Sequence, residues 1–236
     1  MDESVFNEIF KFKEYRVADE VIKNAKHPII DVGAHAGFFS MYSRALNEKV
    51  KIFAIEPEPN NLEALKKHLK INKISRVEVV AGALARESGA RQLVVAEDSH
   101  NHTLAELEFS VIPTEMEGSL NHSVRDFSTP LHSARNDSKT IEVQSMSFAD
   151  FCKQNKIKKI SLIKFDIEGG EYEVFEGMSE KDLSVVNYVI LEYHMGREKS
   201  RDIEEKLRTS GFAVQVFPSK FDKTMGFIFA HNKRFA

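Results

Sequence analysis

Carboxylates stand where the apolar runs of this chain stop. Asp31 lies in Ile29–Val32, Glu56 follows Lys51–Ile55, Asp166 follows Ile160–Phe165, and Glu192 follows Val186–Leu191. Short apolar runs alternating with helical patterns read as parallel strands. In such sheets the strand ends meet along one edge, where ligands bind. An acidic rim there suits a cofactor that carries positive charge. The first run leads into Asp31-Val32-Gly33-Ala34-His35-Ala36-Gly37, a turn that lets backbone come close to a ligand. Glu56, at the tip of the second strand, occupies the position from which an acidic side chain grips a ribose. Gly33-x-x-x-Gly37 lacks the middle glycine of a dinucleotide fingerprint, and the chain has no Gly-Lys-Ser/Thr loop. A nucleoside cofactor without phosphates, S-adenosylmethionine, fits this pattern best. The structural alternative is a tight strand–helix turn with Asp31 as a cap, which leaves Glu56-Pro57 without a role.

The elements that must hold these residues follow from periodicity. Residues 1–28 read as a helical extension, with Val5, Phe6, Ile9, Phe10, Val17, Val21 and Ile22 at helical intervals up to His27-Pro28. From residue 29 to 236 the pattern is one domain. It has strands at Ile29–Val32, Lys51–Ile55 and Val77–Val80, a helix over Phe38–Leu46, and a leucine-faced helix from Pro59 to about Asn72. Between residues 97 and 139 the periodicity fails, and an irregular insertion is expected, in position to act as a substrate lid. Order resumes at Ile141–Met146, and Ser147 with Asp150 marks a capped helix start. After the strands ending at Asp166 and Glu192 come a helix stopped at Gly211 and a terminal antiparallel pair, Phe212–Phe217 with Gly226–Ala230.

The bulk properties narrow the field. The chain has 236 residues, 33 Lys+Arg against 36 Asp+Glu, and a formal charge of −3, so no basic field invites nucleic acid. Cys152 is the single cysteine, which excludes an internal disulfide and a cysteine zinc cage. The apolar run at Val185–Leu191 is interrupted by Asn187 and too short to span a bilayer, and the acidic N-terminal residues argue against a signal peptide. A cytoplasmic location is the expectation.

Several motifs in order resemble the FkbM family of S-adenosylmethionine-dependent methyltransferases. They are Ile30-Asp31-Val32-Gly33-Ala34 with Gly37, then Glu56-Pro57-Glu58-Pro59-Asn60 with the leucine helix and Asn72. The third is Leu162-Ile163-Lys164-Phe165-Asp166-Ile167-Glu168-Gly169-Gly170-Glu171, running on to Val174 and Gly177. The resemblance implies a class I methyltransferase fold, a Rossmann-like doubly wound seven-stranded α/β sheet with a C-terminal antiparallel pair. It also implies O-methylation of a hydroxyl on a sugar, glycan or other small molecule. By position, Asp31, Gly33, Ala34 and Gly37 would line the methionine end of the cofactor. Glu56 and Pro57 would hold the ribose, and Gly82-Ala83-Leu84 would lie against adenine. The family usually has Asn where this chain has His35 and His68, and often after the third strand, where Ala81-Gly82 stands here.

A hydroxyl nucleophile needs a base, or a metal, to take its proton. Asp166 is the first candidate, with Glu192 and His194 next, His194 being the natural base near neutral pH. The bland reading makes Asp166 a helix cap and the Asp-x-Glu-Gly-Gly-Glu run architectural. Asp166, Glu192 and His194 have the ligand types for a divalent ion, but spacing alone assigns none. His100, His102, His122 and His132 read as loop histidines, with Asn101, His102 and Thr103 placed to touch an acceptor. Lys66-Lys67 and Lys158-Lys159 read as solvated faces. Two rivals remain: a nicotinamide-dependent oxidoreductase, and a methyltransferase-like binding protein that transfers nothing.

Overall fold

A computed structural model describes residues 3–12, 14–95, 103–104, 139–194, 196–219 and 224–235. In chain order its elements are α1 (Glu3–Phe6), α2 (Asp19–Lys23), β1 (Ile29–Val32), α3 (Phe38–Leu46), β2 (Ile52–Glu56), α4 (Pro59–Ile71), β3 (Val77–Ala81), β4 (Ala83–Ala85), β5 (Gly89–Val95) and β6 (Thr103–Leu104). There follow β7 (Lys139–Ser147), α5 (Phe148–Gln154), β8 (Ile160–Phe165), α6 (Glu171–Gly177), α7 (Glu180–Ser184), β9 (Val186–Tyr193), α8 (Arg197–Thr209), β10 (Phe212–Pro218) and β11 (Gly226–Asn232). The main sheet runs β10-β11-β9-β8-β1-β2-β3. Strands β3, β2, β1, β8 and β9 are parallel, β11 is antiparallel to β9, and β10 is antiparallel to β11. This is the doubly wound class I methyltransferase arrangement with its terminal antiparallel pair.

Alternation along the strands sends residues to two cores. Ile30, Val32, Phe53, Ile55, Ile163, Phe165, Val189 and Leu191 pack with Phe151 of α5, Phe175 of α6, Leu183 of α7 and Leu207 of α8. Ile29, Ile52, Leu162 and Ile190 face Ile22 of α2 and Phe38, Phe39 and Tyr42 of α3. Asp31, Glu56, Lys164 and Glu192 share the parity of this second set, and Asp31 lies directly opposite Lys164 in the register. The polar groups of the strand ends therefore sit on the face that the N-terminal segment covers.

Three local features differ from the reading of periodicity. The expected N-terminal helix is broken into α1, a π-helical stretch at Asn7–Phe12, a 3₁₀ turn at Glu14–Ala18, and α2. On a regular helix Ile9 and Tyr15, six residues apart, would point about 120° away from each other. The wider winding lets both be buried. A second sheet, β4-β7-β5-β6, extends from the edge of the first. Gly82 (φ +150°) starts the crossing into it, and a Cβ there would lie 2.8 Å from the Gln144 carbonyl. Residues on either side of the irregular stretch thus form strands β5 and β7. His100, Asn101, His102, His122 and His132 lie outside the described residues, and Thr103 begins β6. At α5, Ser147 caps through its hydroxyl to the Asp150 N–H. The Ser147 N–H goes to the Ser88 hydroxyl oxygen and not back to the Asp150 carboxylate, so the reciprocal bond of a capping box is not made.

Candidate functional site

A cavity of about 410 Å³ opens at the carboxyl ends of the parallel strands. Gly33, Glu56, Pro57, Gly82 and Ala83 line it on the β1–β3 side, and Asp166, Glu192 and His194 line it on the β8–β9 side. Asp31, Ala34 and Gly37 are not among the lining residues.

On the β1–β3 side, backbone geometry does most of the building. Gly33 and Ala34 both donate their N–H to the Ile55 carbonyl, at 3.0 Å each, and Gly37 donates to Ala34 at 2.7 Å. The N–H groups of the glycine turn are therefore used within the fold and do not form a phosphate cradle. Gly33 has φ +74°, and a Cβ there would lie 1.9 Å from the Asp166 carbonyl oxygen. Its role is to let the end of β8 pass against the turn. Gly37, at φ +86°, leaves room for Leu65 of α4, whose Cδ1 would be 2.2 Å from an added Cβ. Glu56 is 4% exposed. Its Oε2 accepts the His35 N–H at 2.8 Å, and its Oε1 accepts the Glu58 N–H at 3.0 Å and the Asn61 amide at 3.4 Å. Burial raises its pKa to about 7 despite these donors.

Titratable groups make up the β8–β9 side. Lys164 is buried and its Nζ lies 3.4 Å from both Asp31 Oδ1 and Asp166 Oδ2, while bonding the Gly33 carbonyl at 2.9 Å. Asp31 also accepts from Ser40 at 2.7 Å. Asp31 thus stands beneath the turn as the counter-charge to Lys164. Burial would discharge Lys164, but Asp166 and Asp31 outweigh it and raise its pKa. Burial would likewise raise Asp166, yet Lys164 and His194 outweigh it and hold this carboxyl below its usual range. Glu192 is pushed well above the usual carboxyl range by burial and then by the Asp166 charge. The two neighbouring carboxyls are driven apart, as in pairs that divide acid and base roles.

His194 Nδ1 lies 3.5 Å from Glu171 Oε1, and its Nε2 lies 3.5 Å from Glu168 Oε2. Burial would lower its pKa, but Glu171, Glu168 and Asp166 outweigh that and bring it to about 9. The two carboxylates thus favour the protonated imidazole, and the structure places His194 at the β8–β9 end of the cavity beside Asp166 and Glu192. The helix-cap reading of Asp166 is replaced. Fully buried Glu171 ties down the turn before α6, accepting the N–H groups of Ile167 at 2.8 Å and Gly169 at 2.9 Å. Asp166 bonds Lys164 and Tyr15 instead. Ligand atoms of Asp166, Glu192 and His194 come within 4.8 Å of one another, a set whose types could hold a divalent ion.

Reading of the residues alone missed Lys164, Tyr15 and Glu14 as parts of this end. The signal for Lys164 was present: a lysine inside the apolar run Leu162–Phe165 must be paired if it is buried. No local signal marks Tyr15. Lys66, Lys67, Lys158 and Lys159 are exposed, as expected of solvated faces. Among the described residues no helix is long and apolar enough to cross a membrane.

The chain is similar to several known methyltransferases. "Methyltransferase 1" of Beauveria bassiana is 24% identical over 215 residues, covering 91% of this chain and 82% of that protein. The 31-O-demethyl-FK506 methyltransferase FkbM of Streptomyces tacrolimicus is 25% identical, with 79% and 72% covered. A hexuronic acid methyltransferase of Haloferax volcanii is 21% identical, with 89% and 75% covered. Among solved structures, a methyltransferase FkbM from Methylobacillus flagellatus superposes with a TM-score of 0.52 at 14% identity. That match covers 86% of this chain and 43% of the solved one, and it speaks to the fold alone. The methyltransferase FkbM domain pattern matches residues 31–234, and the chain belongs to that family of methyltransferases.

Proposed function

We propose that this protein transfers a methyl group from S-adenosylmethionine to a hydroxyl of a sugar, glycan or other small-molecule acceptor. The observation that carries the reading is a single cavity bounded by Glu56 at one end and by the Asp166–Glu192 pair at the other. The residues fit the cofactor. Glu56 would offer carboxylate oxygens to ribose hydroxyls, Ala83 and Leu84 would offer an apolar wall to a base, and ionised Asp166 would supply negative charge for positive sulfur. That cofactor, when bound, supplies a methyl group on positive sulfur that an acceptor oxygen can displace.

The remaining work falls to the chain. Asp166, held ionised by Lys164, orients through charge and hydrogen bonding. Ionised Glu192, the stronger base of the pair, takes the proton of the acceptor hydroxyl. Charged His194, fixed between Glu168 and Glu171, keeps this acidic end from accumulating repulsion. The same arrangement weighs against a dinucleotide, since the turn's N–H groups are already bonded and carboxylates line the cavity.

Calorimetric titration with S-adenosylhomocysteine tests the cofactor half, and a labelled-methyl screen across sugars, glycolipids and hydroxylated natural products tests the acceptor half. Saturable binding together with label in an ether product is expected. No binding would remove the cofactor assignment. Binding with no transfer to any acceptor would favour a cofactor-binding protein without transferase activity.

A further inference from the structure

Tyr15 reaches Asp166 from a segment 151 residues away in the chain. Its hydroxyl donates to Asp166 Oδ2 at 3.3 Å. The ring is 3% exposed and makes edge contacts with Phe39 at 5.0 Å and Phe227 at 5.5 Å between centroids. Packing against two phenylalanines would be served equally well by phenylalanine. What the phenol adds is a buried O–H that must find an acceptor. Lys164 approaches the same oxygen, Oδ2, at 3.4 Å. Both of these contacts to the cavity-lining carboxylate fall on Oδ2, at one edge of the group. Val5 and Glu14, flanking Tyr15 in the same segment, also line the cavity. The segment lies ahead of the stretch matched to the family, which begins at residue 31.

We propose that Tyr15 is a positioning residue: together with Lys164 it pins Oδ2 of Asp166, so that Oδ1 is turned toward the bound ligands. The N-terminal segment is thereby a working part of the acceptor end and not only a cover for the core. The proposal rests on reading the cavity as a methyl-transfer site. The groups that face Asp166 are Lys164 of β8, Glu192 of β9 with His194 just beyond it, Asp31 of β1, and Tyr15 itself, with Glu14 beside Tyr15. Of these, Tyr15 is the neutral donor, so removing its hydroxyl changes hydrogen bonding to Asp166 without changing the net charge around it.

Tyr15→Phe is the test, since it keeps the ring and deletes the donor. With carbon-13 in the aspartate side chains, the Asp166 carboxyl is titrated by NMR in the native chain and the variant. Loss of a donor to the carboxylate raises its pKa, so the titration is expected to move up by about half a pH unit. With this donor gone, kcat should fall about tenfold, the scale of one hydrogen bond to a charged group. An Asp166 titration unchanged in Tyr15→Phe would reduce Tyr15 to a packing residue and overturn the proposal. Absence of transfer by the native chain would instead count against the methyl-transfer reading, and the NMR titration would still decide the role of Tyr15.

Discussion

The two ends of the cavity are built on different principles. At the β1–β3 end, one carboxylate is fixed by donors from residues 35, 58 and 61, all within a few positions of the turn and the start of α4. At the β8–β9 end, the groups around Asp166 come from positions 15, 31, 164, 192 and 194, and their charges set one another's protonation. The first end is a preformed shape with one titratable group at its centre. The second is an electrostatic balance in which each charge depends on the others. Where a cofactor must be gripped identically every time, local geometry is enough. Where a proton must move, neighbouring pKa values have to differ, and that requires opposing charges gathered from across the chain.

The widest gap between the two ends should appear on replacing Glu192. Glu192→Gln removes the group with raised proton affinity while keeping its size, and kcat should fall by about 10²- to 10⁴-fold, the range for a general base. S-adenosylhomocysteine affinity should stay within about twofold, because the partners of Glu56 are untouched. A kcat near that of the native chain would move the base elsewhere, with Asp166 the next candidate.

Glu56→Ala is the converse experiment, with a smaller effect. Losing the hydrogen bonds that two ribose hydroxyls would donate to this buried carboxylate should weaken S-adenosylhomocysteine by about 10- to 100-fold. Acidity provides a second readout. Burial holds Glu56 near 7 in the free chain, and ribose hydroxyls favour its ionised form, so binding should release protons around neutral pH. Affinity should therefore decline as pH falls through about 7, and the calorimetric heat should vary with the buffer's ionisation enthalpy. A proton release identical in Glu56→Ala would assign the titration to another group.

What could be read from the residues divides along the same line. β1, β2, α3 and α4 follow from apolar runs, glycines and a proline at a helix start, all encoded within a dozen neighbours. Helix α3 lies where its periodicity placed it, from Phe38 to Leu46. The Glu171 clasp, by contrast, is two N–H bonds that a carboxylate makes only once the turn has formed. The broken N-terminal helix escaped notice because burying Ile9 and Tyr15 together overrides the regular period. β5 and the start of β7 flank a polar stretch, and their partners are each other, across a gap no local pattern spans. Charge state was the least legible property. A histidine after a strand suggests a base at neutral pH, and nothing near it in sequence shows that the fold brings Glu168 and Glu171 to its two ring nitrogens.

That last point gives the smallest expected effect, on stability. The pKa of His194 is about 9 in the folded chain against an ordinary value of 6.5, so the folded state holds its proton more tightly than the unfolded state does. Stabilisation from a raised pKa is fully present below the unfolded value and is lost as pH climbs through the folded one. His194 should therefore stabilise the fold at about pH 6 and contribute nothing by about pH 10, with the decline between the two pKa values. The scale is on the order of 1 kcal/mol, because Glu168 is partly exposed and both ion-pair distances are long. Melting temperatures of the native chain and His194→Gln across that range should converge as pH rises. If they converged on lowering the pH instead, His194 would be neutral in the fold, the acidic end would lack its second cation, and Asp166 would be left to Lys164 and Tyr15.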